Sequence, residues 1–331
     1  MARHISSQTR SFEQTILNAL LETPLNGLCS RARFRALRSL RRLRLLISDP
    51  VVKFPLGARD LRLPLSHELP LYRRAFPEYA LNLGRLALHL SRKYPDLTVI
   101  DVGANVGDSA AVVRMYCDHP VLCIEGEERF FRLLAQNSGN LGPIELEQTF
   151  LGAQGDHVHS VHTGRGNARV ILGSAPGKEN MCTLGQAVSR HPRFALSKLL
   201  KLDAEGFDCR IIACESELLR RSKPVLFFEY YPACCEMAGQ PAFPVFAQLA
   251  ETGYSTVLIY QNVGRYLTSL QLHQVTELAN FHRCIADVQG FCDIVAFHPE
   301  DLDVAGDLRA QALAVAAAEN KQPVTPFPGH P

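Results

Sequence analysis

Apolar and polar positions follow two different rhythms along this chain. Up to about residue 95 the apolar residues recur mainly at helical spacing. Residues 12–21 (FEQTILNALL) predict a short helix, ended by Pro24, Asn26 and Gly27. Residues 31–47 (RARFRALRSLRRLRLLI) predict a second. On a wheel, Ala36, Leu40, Leu43 and Ile47 share one face, with Arg31, Arg35, Arg38 and Arg42 opposite. The expectation is that the leucine face packs on the body and the arginines are solvated. The competing reading is a helix lying on an anionic membrane surface. Alternating runs around Gly57-Ala58-Arg59-Asp60 predict a hairpin within 51–70, and residues 78–92 predict a helix stopped by Pro95.

From residue 97 the rhythm changes to short apolar runs separated by helix-like segments. The runs are LTVIDV (97–102), VLCIEG (121–126), IELEQTFLG (144–152), LLKLDAEG (199–206), PVLFFEY (224–230), YSTVLIY (254–260) and FCDIVAF (291–297). Strands alternating with helices imply an α/β fold with a mostly parallel sheet covered on both faces. No strong helical pattern precedes Gly290, so an antiparallel last strand is expected. A polar stretch, 153–180, reads as a hairpin (HVHSVHTG, then NARVILG). Its His157, His159 and His162 are read as hairpin residues, and no metal site is expected. The expected division is a basic helical extension (1–50), a hairpin and helix leading into the core (51–96), the main α/β domain (97–300), and a helix with a disordered Pro-rich tail (301–331).

Composition changes this picture in one respect. Overall, 47% of residues are hydrophobic and 21% charged, which excludes a mainly disordered chain, and the net charge is only +2. Residues 1–47, however, hold nine Arg and two Glu, a local +7 on an otherwise acidic body. No run reaches the roughly 18–20 apolar residues that span a bilayer, and no signal-peptide pattern opens the chain. The expected location is therefore cytoplasmic, with weak membrane-surface contact through residues 31–47 at the inner face. Ten scattered cysteines without a CxxC read as reduced thiols.

The candidate chemistry lies at the strand ends. Asp101, Gly103, Asn105, Gly107, Asp108 and Ser109 follow an apolar strand and open a helix, the setting in which a glycine turn exposes a helix N-terminus to a ligand. Glu125 stands 22 residues after Gly103 at the next strand end, where a carboxylate would accept hydrogen bonds from ribose hydroxyls. Asp108 would repel a pyrophosphate, which disfavours NAD. S-adenosylmethionine has no phosphate and carries a cationic amine and sulfonium, which suit the acids Asp101, Glu125 and Asp203.

The segments VIDVGANVGDSA, LLKLDAEGFD and PVLFFEYYP closely resemble the FkbM-type S-adenosylmethionine-dependent methyltransferases, over roughly residues 97–298. The resemblance implies a seven-stranded class I methyltransferase sheet with an antiparallel last strand. It also implies methyl transfer to a hydroxyl of a sugar, glycan or polyketide-type metabolite. The expected cofactor-binding residues are Asp101, Gly103, Asn105, Gly107, Asp108, Ser109, Glu125 and Asp203, with Asp203 at the methionine end. Glu205 and Glu229 are the expected catalytic residues, one of them taking the acceptor proton. The expected partner is a small-molecule or glycan acceptor, with no nucleic acid. The alternative is a non-catalytic methyltransferase-fold module acting through its basic N-terminal helix.

Overall fold

The computed structural model describes residues 11–164, 166–173 and 181–319; the expected Pro-rich tail lies outside them. The chain begins with α1 (Phe12–Glu22), capped by the Ser11 hydroxyl accepting from the Gln14 amide. Next comes α2 (Leu28–Leu45), where Arg31, Arg35 and Arg42 are exposed as expected but the leucine face is not the one that packs. Arg41 is buried. Its guanidinium donates to the Leu65 carbonyl at 2.8 Å, to the His67 carbonyl at 3.1 Å and to Glu68 at 3.2 Å. Arg44 pairs with Glu13 of α1 at 2.8 Å. These charge-assisted bonds to carbonyls and carboxylates fix the side bearing Arg41 and Arg44 inward, between the leucine face and the face of Arg31, Arg35 and Arg42. The leucine face therefore turns to solvent: Leu43 is 61% and Ile47 82% exposed.

The hairpin of β1 (Val51–Leu56) and β2 (Arg59–Pro64) turns at Gly57, as its alternation predicts. It leads through α3 (Leu69–Ala75) and α4 (Leu81–Lys93) into β3 (Val99–Val102). There follow α5 (Asp108–Arg114), β4 (Val121–Ile124), α6 (Glu128–Leu141), β5 (Ile144–Glu147) and the short β6 (Phe150–Leu151). The polar stretch forms the antiparallel hairpin β7 (His157–Thr163) and β8 (Ala168–Gly173), and β9 (Met181–Cys182) pairs with β6. The rest runs α7 (Leu184–Ser189), β10 (Leu199–Leu202), α8 (Asp208–Cys214), α9 (Ser216–Ser222), β11 (Val225–Tyr230), α10 (Pro232–Met237) and α11 (Val245–Glu251). The chain closes with β12 (Thr256–Gln261), β13 (Tyr266–Gln271), α12 (Val275–Asp287), β14 (Cys292–Phe297) and α13 (Leu302–Glu319).

The main sheet has the order β13-β12-β14-β11-β10-β3-β4-β5. Strands β5, β4, β3, β10 and β11 are mutually parallel, and β14 runs antiparallel to both β11 and β12. This is a class I methyltransferase arrangement. It carries one strand more than expected: β13 folds back on β12 through Gly264 and adds an eighth strand at the edge. A helix, α12, also precedes the last strand where the pattern shows none; only Leu278 of it is fully buried, with Phe281 packed partly against the core.

Alternate residues of each strand feed two cores. Val99, Cys123, Leu199 and Phe227 pack with the hairpin, α4, α5 and α6 on one face. Ile100, Leu122, Leu200 and Leu226 pack with α7, α8 and α11 on the other. Burial on both faces explains why these strands read as continuous apolar runs. The C-terminal ends of β3, β4, β10 and β11 open into a common cavity.

Candidate active site

The turn after β3 is shaped by two left-handed residues, Gly103 (φ 69°) and Asn105 (φ 48°), before Gly107 (φ 91°) caps α5. Gly103 is required by a close approach of main chains. A β-carbon there would fall 1.9 Å from the Asp203 carbonyl oxygen. The space is thus taken by the turn after β10 and not reserved for a ligand. Glu125, buried at the end of β4, accepts from the Asn105 amide at 2.8 Å and the Glu127 amide at 2.7 Å. Its carboxylate therefore braces the turn, and burial lifts its pKa to about 7.

The cavity measures about 480 Å³, within the span of ligand sites. Gly103, Asn105, Asp108, Ser109, Glu125, Asp203, Glu205 and Glu229 all line it. Asp101 and Gly107 lie outside the lining. Asp101 is buried beneath the floor, with Oδ1 3.1 Å from the Lys201 ammonium. Burial raises the Asp101 carboxyl to about 6 against the pull of that lysine. Gly107 instead faces Leu134 and Leu141. Direct ligand contact by these two residues is thereby corrected to a supporting position.

The turn after β10 has begun by Glu205, whose φ is 51°, so Asp203 and Glu205 no longer share an extended backbone. Asp208, buried below, accepts from the Ala204 and Gly206 amides and holds this turn. Asp203 is half exposed, 3.6 Å from Lys201. Glu205, beside Asn167, is lifted to about 7 by burial and by the charge of Asp203. Glu229 stands in register opposite Asp293 of β14, and both line the cavity. Burial, then the charges of Asp203, Asp208 and Glu205, push Glu229 well above the ordinary carboxylate range. Asp293 rises to about 7, again chiefly by burial.

The opposite wall comes from outside the strand ends. His67 sits 3.3 Å from the Asn105 amide oxygen, and burial keeps it neutral. The Asn105 side-chain amide donates to the Gly166 carbonyl at 2.6 Å, tying the β7–β8 hairpin tip to the glycine turn. Tyr231 stacks on Phe291, with centroids 5.0 Å apart and planes at 29°.

No family model matches the chain, and no curated protein matches it in sequence. Solved structures of low similarity do align. Methyltransferase FkbM from Methylobacillus flagellatus KT is 16% identical, with a TM-score of 0.35, over 53% of this chain and 43% of that one. Trm1 from Pyrococcus horikoshii, solved with S-adenosyl-L-methionine, is 12% identical (TM-score 0.34; 75% and 62% covered). A candidate RNA methyltransferase, PH1948 from the same organism, is 13% identical (TM-score 0.29; 79% and 97% covered). A candidate RNA methyltransferase thus stands among the aligned structures, and the expectation of no nucleic-acid partner is corrected: it does not stand.

Lys201, Asp208, Asp293 and His67 escaped the sequence reading. Lys201 and Asp101 had a usable signature, a single charge at the third position of the otherwise apolar runs LLKL and VIDV. Asp293 had one too, an acid near the start of the run FCDIVAF.

Proposed function

We propose that the protein is an S-adenosylmethionine-dependent O-methyltransferase of the FkbM type, acting on a hydroxyl of a sugar, glycan or polyketide-type metabolite. The observation that carries this reading is the lining of the cavity. Asp108, Glu125, Asp203, Glu205, Glu229 and Asp293 converge there, with Lys201 and Arg169 as cations, over a turn too tight for any side chain at Gly103. Such a lining fits a donor with a cationic amine and sulfonium and no phosphate. Asp203 and Asp108 would receive its amine, and Glu125 its ribose hydroxyls.

Bound there, S-adenosylmethionine would supply a methyl group from its sulfonium sulfur. The chain's own residues align the acceptor and manage its proton. As the methyl group is transferred, Glu205 would take the proton of the acceptor hydroxyl. A base with a pKa near 7 is half ionised at neutral pH, which suits that task. Burial and the neighbouring carboxylates favour the protonated form of Glu229, which would donate a hydrogen bond to the acceptor. Several carboxyls beside the stacked Tyr231–Phe291 pair match an acceptor rich in hydroxyls with an apolar ring face.

Titration calorimetry tests the reading. Micromolar binding of S-adenosylhomocysteine without binding of NAD supports it, and the reverse result overturns it.

No helix of the described residues is long and apolar enough to cross a membrane. For location, we propose a cytoplasmic protein resting on an anionic inner leaflet. The outward leucines of α2 and the exposed Arg31, Arg35 and Arg42 support this. Loss of co-sedimentation with anionic vesicles in Leu43→Ser/Ile47→Ser is the expected result. Vesicle binding unchanged by that variant overturns it, as does binding to RNA alone.

A further inference from the structure

Lys201 occupies an unusual place for a lysine. It lies in the middle of the sheet on β10, directly opposite Asp101 of β3 in the parallel register, and its side chain is only 4% exposed. From there the ammonium reaches up to the strand ends. It donates to the carbonyls of Val102 at 3.2 Å and Gly103 at 3.1 Å, and lies 3.1 Å from Asp101 and 3.6 Å from Asp203. Burial opposes its charge, but the surrounding carboxylates of Asp101, Asp203 and Asp108 prevail and hold it protonated.

Two consequences follow for the cavity. The Gly103 carbonyl is engaged by the Lys201 ammonium, which fixes the peptide at the start of the glycine turn. The Asp203 carboxylate, half exposed, has a positive neighbour in the buried Lys201 ammonium. Asp101 balances Lys201 from beneath, so the charge that Lys201 presents to the cavity is small while its hydrogen bonds remain.

We propose that Lys201 is a positioning residue for the methyl donor: it fixes the Gly103 carbonyl and the Asp203 carboxylate, so that the amino-acid end of the donor is received by Asp203. This rests on the donor assignment made above. The rival account is that Lys201 only neutralises Asp101.

The double variant Lys201→Met/Asp101→Asn separates the two, since it removes both buried charges together and avoids stranding either. Calorimetry with S-adenosylhomocysteine and with 5′-methylthioadenosine, which lacks the amino-acid end, gives the readout. The proposal expects the double variant to bind S-adenosylhomocysteine at least tenfold more weakly while methylthioadenosine binds as to the unaltered protein. Equal affinity for S-adenosylhomocysteine, or parallel loss of both ligands, overturns it. Asp203→Asn supplies a reading independent of how the double variant folds, because Asp203 is half exposed. It should show the same selective loss, and undiminished binding there also overturns the proposal. If the unaltered protein binds neither ligand, it is the donor assignment that falls.

Discussion

The α-carbon of Gly103 faces the backbone carbonyl of Asp203 so closely that no β-carbon fits between them. Two strand-end turns are thereby locked together above Asp101 and Lys201. Gly103→Ala meets both this contact and a left-handed backbone, the latter alone worth about 1–2 kcal/mol. We expect a lower melting temperature and lost donor binding. Gly139→Ala, in the last turn of α6 with nothing within 4 Å, is the control, and should stabilise by up to about 0.5–1 kcal/mol.

Acidity within the cavity sets a pH dependence of stability. Burial raises Glu125, Glu205, Asp208 and Asp293 to about 7. Between pH 4.5 and 7 the folded chain thus holds more protons at these sites than the unfolded chain, so their contribution to stability falls as pH rises through that window. Neutral His67 works the other way below its ordinary pKa, but it is one group against four. Thermal melts of the ligand-free protein should show a lower midpoint at pH 8 than at pH 6. Saturating S-adenosylmethionine should narrow the gap. A higher midpoint at pH 8 would show that these carboxyls are not held protonated.

The catalytic assignments differ in their expected pH profiles. Glu205→Gln should lower turnover by about 10²–10⁴-fold and remove an ascending limb near pH 7. Glu229→Gln keeps a neutral hydrogen-bonding group where burial favours the protonated form of the native side chain, so it should cost far less than Glu229→Ala. Steady-state rates across pH 5.5–9 on an identified acceptor provide the check.

At the N-terminus, Arg41→Met removes bonds to two carbonyls and to Glu68. We expect a loss of about 1.5–3 kcal/mol in denaturant unfolding. Leu43→Ser, on the exposed face, should stay within about 0.5 kcal/mol of the unaltered protein.

The strand runs and the glycine turn were legible because burial on both faces leaves an unmistakable apolar string that ends in acids. The β1–β2 hairpin was legible from Gly57 between alternating residues. The orientation of α2 was not. Its leucine stripe argued for burial, and only the carbonyls of Leu65 and His67, far along the chain, decide for Arg41 by accepting from it. Strand β13 was missed because an edge strand with exposed Leu267 lacks a clean inward row, although Gly264 between two runs marks the turn. Within the site, the sequence points to the lining acids but not to their supports. Asp101 and Asp203 look alike as strand-end acids, and one lies under the floor while the other faces the cavity.

The pairing of β3 with β10 also bears on how the protein folds. Val99 and Leu199 are Cα partners, yet a hundred residues separate them, and the whole of β4, β5 and the β7–β8 hairpin intervenes. Closing so long a loop is entropically costly before any contact rewards it, and parallel pairing over such distances is slow. The donor cradle needs both strand ends and has no local precursor. In refolding, donor binding should therefore recover after helical signal has returned, making a bound ligand a reporter of the completed sheet.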